Sequence, residues 1–350
     1  MSIRQPPDPD DPIEHFIEHL ESTDKAVSTV EGYKRSLDKL RTHLSQNGLL
    51  PGEATDRECI DFITSLQGEL ADTTVAHYAS DVNKFYQFFS SRGTFKKNPM
   101  TVALDEVSLN DTVDPHRREI SLEEMREFIA ETHRPQTFTM LALLAKTGIR
   151  LGELTNLDLY DLHLDHSGAQ RVLPEPRTEI ADKPDSLFVT SDIEESDVVR
   201  GEKRERGNKR ERNTVIPLDD ELKQVFLYWI AVRPPSPTDT FPLFSIRGGS
   251  RTRRLIGERI TGGAVGKTVT RRAKRRGWYS KGGGVQNNVT PHYFRHWFET
   301  MAERHGLPKP IIKYIRGDVG ADITDHYRHF WGSEVREAYT ANIYKLFRKS

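Results

Sequence analysis

Apolar residues recur at helical spacing over most of this 350-residue chain, and that period commits it to burying its core through helices. Asp11-Pro12 has the chemistry of a cap and a first helical position, and Ile13, Phe16, Ile17 and Leu20 then share one face. Behind a Ser28 cap, Val30, Tyr33, Leu37, Leu40 and Leu44 form a second stripe that ends near Asn47-Gly48. Thr55-Asp-Arg-Glu58 reads as a capping box ahead of Ile60, Ile63 and Leu66. Val75, Tyr78, Val82, Phe85 and Phe89 follow Asp72 and stop before Gly93. These stripes predict a compact helical domain over residues 1–105, and as stripes they are core positions.

Periodicity is lost from about Asn98, where Pro99, Pro115 and several acids occur, and residues 106–118 read as a linker. The second domain, 119–350, opens on another capping box, Ser121-Leu-Glu-Glu124. Phe138 to Lys146 is almost continuously apolar and predicts a buried helix ending at Thr147-Gly148. Arg171–Leu173, Leu187–Thr190 and Thr214–Leu218 read as short strands. Helices resume at Asp219–Val232, Gly263–Arg276, Pro291–His305, Lys309–Arg316 and Asp322–Phe330, with a last one from Ser333. The expected class is mainly α with a small antiparallel β-sheet.

Cys59 is the only cysteine, which excludes an internal disulfide framework, a cysteine zinc cluster and an iron–sulfur site. No apolar run approaches the roughly 20 residues of a membrane span, and the polar start MSIRQPPDPDDP has no signal-peptide pattern. The expectation is a soluble intracellular protein. A formal net charge of −1 hides strong segregation: Arg247 to Lys281 carries twelve Lys/Arg against one acid, Glu258. Arg200 to Arg212 holds seven Lys/Arg against three Glu. Cations gathered this way suit a polyanionic partner.

Three segments carry chemistry. Thr290-Pro-His-Tyr-Phe-Arg-His296 puts His292 and Arg295 three apart on one helix face, with Phe294, Trp297, Phe298 and Met301 opposite. Such a pair suits a phosphate, because Arg grips two oxygens and His moves a proton. Thr147-Gly-Ile-Arg-Leu-Gly-Glu-Leu154 delivers Arg150 just past a buried helix, either paired with Glu153 or poised at a cleft. Tyr314-Ile-Arg-Gly-Asp-Val319 leads to His326-Tyr327-Arg-His329.

In this order and at these separations, the three segments resemble the boxes of the tyrosine recombinase (phage integrase) family, with an archaeal Xer-like cast. The resemblance covers essentially the whole chain. It implies a helical, SAM-like core-binding domain followed by an α+β catalytic domain. It also implies that Arg150 and Arg295 bind the scissile phosphate, that His292 transfers a proton and that Tyr327 is the nucleophile. The family's hairpin lysine falls on Lys209, eight residues before Pro217, with Lys203 and Arg206 as neighbouring alternatives. The loop before it, Ile193 to Gly207, is unusually long and charged.

One position departs from the family. The closing box usually reads Leu-Gly-His, sometimes with Trp, and this chain has Arg316-Gly317-Asp318. An ionised carboxylate cannot donate to a phosphate, and about 4 Å away it would repel one by roughly 4 kcal/mol at an effective dielectric of ~20. Asp318 therefore turns away to cap the next helix, is protonated, or is replaced in its role by His296 or His329. The implied partner is double-stranded DNA, clamped between the two domains. A homotetramer would form on paired sites through the tail 331–350, with accessory DNA-bending factors as further candidates. No metal, cofactor or membrane is implied. The rival readings are a type IB topoisomerase-like enzyme and a catalytically impaired DNA-binding protein of the same fold.

Overall fold

The computed structural model of the chain describes residues 11–23, 25–108, 117–237, 239–248, 255–318 and 333–347. Two compact units divide at Asp114/Pro115. The first contains α1 (Pro12–Glu21), α2 (Val27–Gln46), α3 (Asp56–Gln67), α4 (Asp72–Ser90) and α5 (Met100–Glu106). Asp11 caps α1 by accepting from the Ile13 and Glu14 amides, and Ile13, Phe16, Ile17 and Leu20 are all buried. Phe16 meets Tyr33 and Phe85 edge-on, with ring centroids 5.7 and 5.6 Å apart, which ties α1 to α2 and α4. Thr55 and Glu58 form the capping box of α3. Cys59 lies inside this core, and burial pushes its thiol up to about 12, the signature of an inert cysteine.

Two local expectations change here. Helix α2 begins at Val27, with Ala26 rather than Ser28 at the cap position. Residues read as losing periodicity after Asn98 include α5, because Met100, Ala103 and the partly buried Leu104 supply enough apolar face to dock on the first unit's core.

The second unit is built on α7 (Pro135–Thr147), which follows α6 (Leu122–Ala130) and packs against α10 (Asp220–Val232) and α13 (Pro291–Arg304). Helix α7 is buried around most of its circumference, as its apolar sequence requires. Lys146 is the exception in type: its side chain is fully buried, and its Nζ lies 2.5 Å from both Asp219 and Glu221. Removing either acid would leave buried charge poorly matched, a change that costs about 3–5 kcal/mol.

The short α8 (Leu151–Asn156), β1 (Leu162–His163) and α9 (Ser167–Gln170) lead to β2 (Ser186–Val189). A hairpin of β3 (Val198–Val199) and β4 (Glu202–Lys203) precedes β5 (Thr214–Pro217). The main sheet is antiparallel in the order β1-β2-β5, with Leu187 opposite Leu162 on one side and Ile216 on the other. Arg171–Leu173 is thus not a strand. The His166 ring accepts from the Gly168 and Ala169 amides and starts a helical turn, and Val172 is left exposed instead of alternating into a core. The charged 193–207 loop is pinned by Arg204, whose buried guanidinium bonds Asp158 at 3.0 Å.

Helices α11 (Gly262–Arg275), α12 (Gly284–Asn287), α13, α14 (Lys309–Arg316) and α15 (Ser333–Asn342) complete the unit. The expected helix over Asp322–Phe330 lies outside the described residues. The tail packs on its own domain: Tyr339 Oη donates to the Lys146 carbonyl at 3.0 Å, Tyr344 Oη donates to that of Ala145, and Phe347 stacks on Phe138. Among the described residues no helix is long and apolar enough to cross a membrane.

Candidate active site

Three chain segments converge at the exit of α7. Gly148 ends that helix with φ of +60°, and a Cβ there would lie 2.8 Å from the Phe298 ring, so both backbone sign and space select glycine. The turn releases Arg150 at the cap of α8. Its amide donates to Glu153 Oε2 at 2.8 Å and its Nη1 to Glu153 Oε1 at 3.0 Å. Nη1 also reaches the Gly317 carbonyl at 3.2 Å, and Nη2 lies 3.4 Å from Asp318 Oδ1. The expected Arg150–Glu153 pair and the expected cleft position therefore coexist, with Arg150 keeping 27% of its side chain exposed.

Arg295 arrives from α13. It is only 4% exposed, and its Nη1 donates to the carbonyls of Gly148 at 2.9 Å and Arg316 at 2.7 Å. Its Nη2 contacts Asp318 Oδ1, the same oxygen that faces Arg150. Burial and the Arg150 charge bring the Arg295 pKa down to about 10, leaving it a cation at neutral pH.

The third segment is the C-terminus of α14. Gly317 adopts φ of +68°, and the last carbonyls point at guanidinium groups: Ile315 to Arg210 at 3.1 Å, Arg316 to Arg295, and Gly317 to Arg150. Helix C-terminal carbonyls have no partner within the helix and carry partial negative charge, so the arginines satisfy and hold that end. Asp318 follows immediately. Its Oδ2 lies 3.1 Å from Arg316 Nε, while Arg316 Nη1 contacts Glu299. Of the three alternatives for Asp318, turning away to cap the next helix does not hold: its carboxylate points at Arg150 and Arg295, because the turn at Gly317 aims it there.

Sequence reasoning missed Arg210. Its guanidinium is buried and makes a two-point contact with Glu153, at 3.2 and 3.1 Å. Burial works to raise the Glu153 carboxyl, and Arg210 and Arg150 outweigh it, holding the pKa below the usual value. Nothing distinguished Arg210 within a run of seven basic residues. Lys209 is exposed beside it, between Asn208, which donates to the Thr190 carbonyl at 2.9 Å, and Arg210. Lys203 lies in β4, and Arg206 is exposed with its backbone carbonyl accepting from Asn156.

His292 is exposed on the first turn of α13, three residues before Arg295. Partial desolvation of the ring lowers its pKa, and Arg117, Arg295, Arg316 and Arg150 lower it further. The half-buried His296 is lowered by burial and Arg117. Tyr327 and His329 lie outside the described residues.

A basic surface accompanies this cluster. On α11, Val265, Val269 and Ala273 are buried, and Lys267, Arg271, Lys274 and Arg275 are exposed. His133, Arg134, Thr268, Arg271 and Arg275 line a cleft of about 320 Å³ between this helix and the α6–α7 turn.

Residues 13–93 match the family model described as phage integrase, N-terminal SAM-like domain. The tyrosine recombinase XerD of Staphylococcus epidermidis is 24% identical over 347 residues, covering 94% of this chain and 97% of that protein. Among solved structures, the Tn1549 transposon integrase in complex with transposon right end DNA aligns over 87% of this chain and 90% of its own, with a TM-score of 0.63 and 17% identity. A λ integrase tetramer bound to a Holliday junction aligns over 88% and 76%, with a TM-score of 0.62 and 14% identity. Sequence boxes, fold and relatives agree in one direction: residues 13–93 carry the phage integrase N-terminal SAM-like domain, and along almost its whole length the chain is similar to tyrosine recombinases.

Proposed function

We propose that this chain is a site-specific DNA recombinase that cuts and rejoins strands through a 3′-phosphotyrosyl intermediate. The observation that carries the reading is the convergence of Arg150 and Arg295 on a single oxygen, Asp318 Oδ1. Two guanidiniums fixed within reach of one oxygen form a preorganised anion clamp, and the carbonyls that hold them leave them little reorganisation at the moment of reaction. A phosphodiester seated there gains most as charge accumulates on its nonbridging oxygens.

In this mechanism the Tyr327 hydroxyl attacks phosphorus, forming the Oη–P bond as the P–O5′ bond breaks. His292 accepts the phenolic proton, and Lys209 donates a proton to the departing 5′-oxygen. A 5′-hydroxyl from a second strand reverses the step, so strands exchange with no change in bond count. The lowered His292 pKa supports an acceptor role, since its neutral form dominates at neutral pH. Arg210 and Glu153 are positioning residues for Arg150.

Double-stranded DNA is the partner, and the exposed cations of α11 suit its backbone. The relevant assembly is four copies on two paired sites. Because residues 333–347 pack on their own domain, tail exchange between copies would have to release Tyr339, Tyr344 and Phe347. The setting for this chemistry is the cytoplasm, on DNA.

The test is covalent trapping on nicked duplexes tiled from the DNA flanking the gene. An adduct that survives denaturation is expected. Arg150→Ala and Arg295→Ala should each slow its formation by about 100-fold or more, the scale of losing one transition-state donor. Unchanged rates in both variants would exclude the arginine pair as the phosphate clamp.

A further inference from the structure

Asp318 presents one carboxylate to three guanidiniums. Oδ1 is shared by Arg295 Nη2 and Arg150 Nη2, and Oδ2 lies 3.1 Å from Arg316 Nε. The other acids nearby are already engaged. Glu153 is held by Arg210 on one side and Arg150 Nη1 on the other, and Glu299 contacts Arg316. The charge left on the Arg150–Arg295 pair is therefore answered by Asp318.

A phosphodiester matches that carboxylate in the features the arginines read: one negative charge and a pair of oxygens able to accept from both guanidiniums. The two anions cannot share the clamp, because each would be held beside a like charge in a partly buried site. The backbone leading into Asp318 is held in place. Its amide donates to the Lys313 carbonyl at 3.0 Å, and Gly317 is pressed so closely on Arg210 that a Cβ would lie 2.5 Å from the guanidinium carbon. The side chain, 25% exposed, is the part that can rotate out.

We propose that Asp318 is an internal anion that competes with the scissile phosphate for Arg150 and Arg295, so that its carboxylate must swing out of the clamp before a strand is cut. This rests on the reading of that pair as the phosphate site. The enzyme is held in check by a residue at the position where the family carries a donor to the phosphate, and tight engagement of the correct DNA releases it.

The experiment titrates inorganic phosphate into the full-length protein at constant ionic strength and follows the thermal unfolding midpoint. Asp318→Asn removes the charge and keeps a polar group, whereas Asp318→Ala removes both. Both should lower the half-saturating phosphate concentration at least tenfold, and Asp318→Ala should accelerate single-turnover attachment to nicked duplex. A purely structural ion pair would lower the midpoint and leave half-saturation where it was. That result in either folded variant, with an arginine-dependent adduct still forming, overturns the inference alone. A phosphate response that survives both Arg150→Ala and Arg295→Ala would remove the phosphate-site reading, and this inference with it.

Discussion

His292 and Arg295 share one turn of α13 and have opposite electrostatic tasks. Arg295 is sunk among carbonyls that favour its charge, whereas His292 faces four arginines that disfavour its own. Partial desolvation, together with those arginines, puts its pKa below the ordinary 6.5, so the neutral ring predominates at pH 7. If the neutral ring accepts the nucleophile's proton, single-turnover attachment should fall on the acid side as the ring protonates, with its midpoint below pH 6.5. The same shift makes stability decline as pH drops through 6.5, since the unfolded chain takes up the proton first. A midpoint above 6.5 in the rate profile, abolished by His292→Gln, would show that the imidazolium is disfavoured less than its surroundings imply. At this scale the two arginines and the histidine were legible in the sequence, because their spacing from Gly148 and along one helix is local. The direction of Asp318 and the role of Arg210 were not, since both depend on three segments distant in sequence meeting at the end of α14.

At the scale of elements, the surface of α11 separates working cations from structural ones. Lys267, Arg271, Lys274 and Arg275 are exposed, whereas Arg276 just beyond the helix bonds Glu127 and Glu131. Lys267→Ala and Arg271→Ala should each reduce the slope of log K against log salt by about one for duplex binding. Arg276→Ala should leave the slope nearly unchanged, because that cation is already neutralised. Equal slopes for all three variants and the parent would take α11 out of the DNA-binding surface. Most helices here were readable from stripes and capping boxes, which are local signals. The misread pieces were short: α5 has only two turns, with Met100, Ala103 and Leu104 on the core, and at Arg171–Leu173 a histidine cap outcompeted strand formation. In both, the deciding contact is tertiary or a side-chain cap that composition does not reveal.

At the scale of the whole molecule, a chain near neutrality keeps its cations together and pins the residual charged loop through Arg204 and Asp158. Two compact units and a tail packed in cis complete the protein. In the proposed mechanism this machinery serves one event, a covalent bond between Tyr327 and a DNA 3′-phosphate. The most direct measurement digests the denaturation-resistant adduct and identifies the linked peptide by mass spectrometry, for the parent and for Tyr327→Phe. The expected result is a nucleotide on the Tyr327 peptide, no adduct with Tyr327→Phe, and duplex affinity retained within about threefold, less than about 1 kcal/mol, because only the hydroxyl is lost. An adduct on another residue, or one that persists with Tyr327→Phe, would contradict the mechanism.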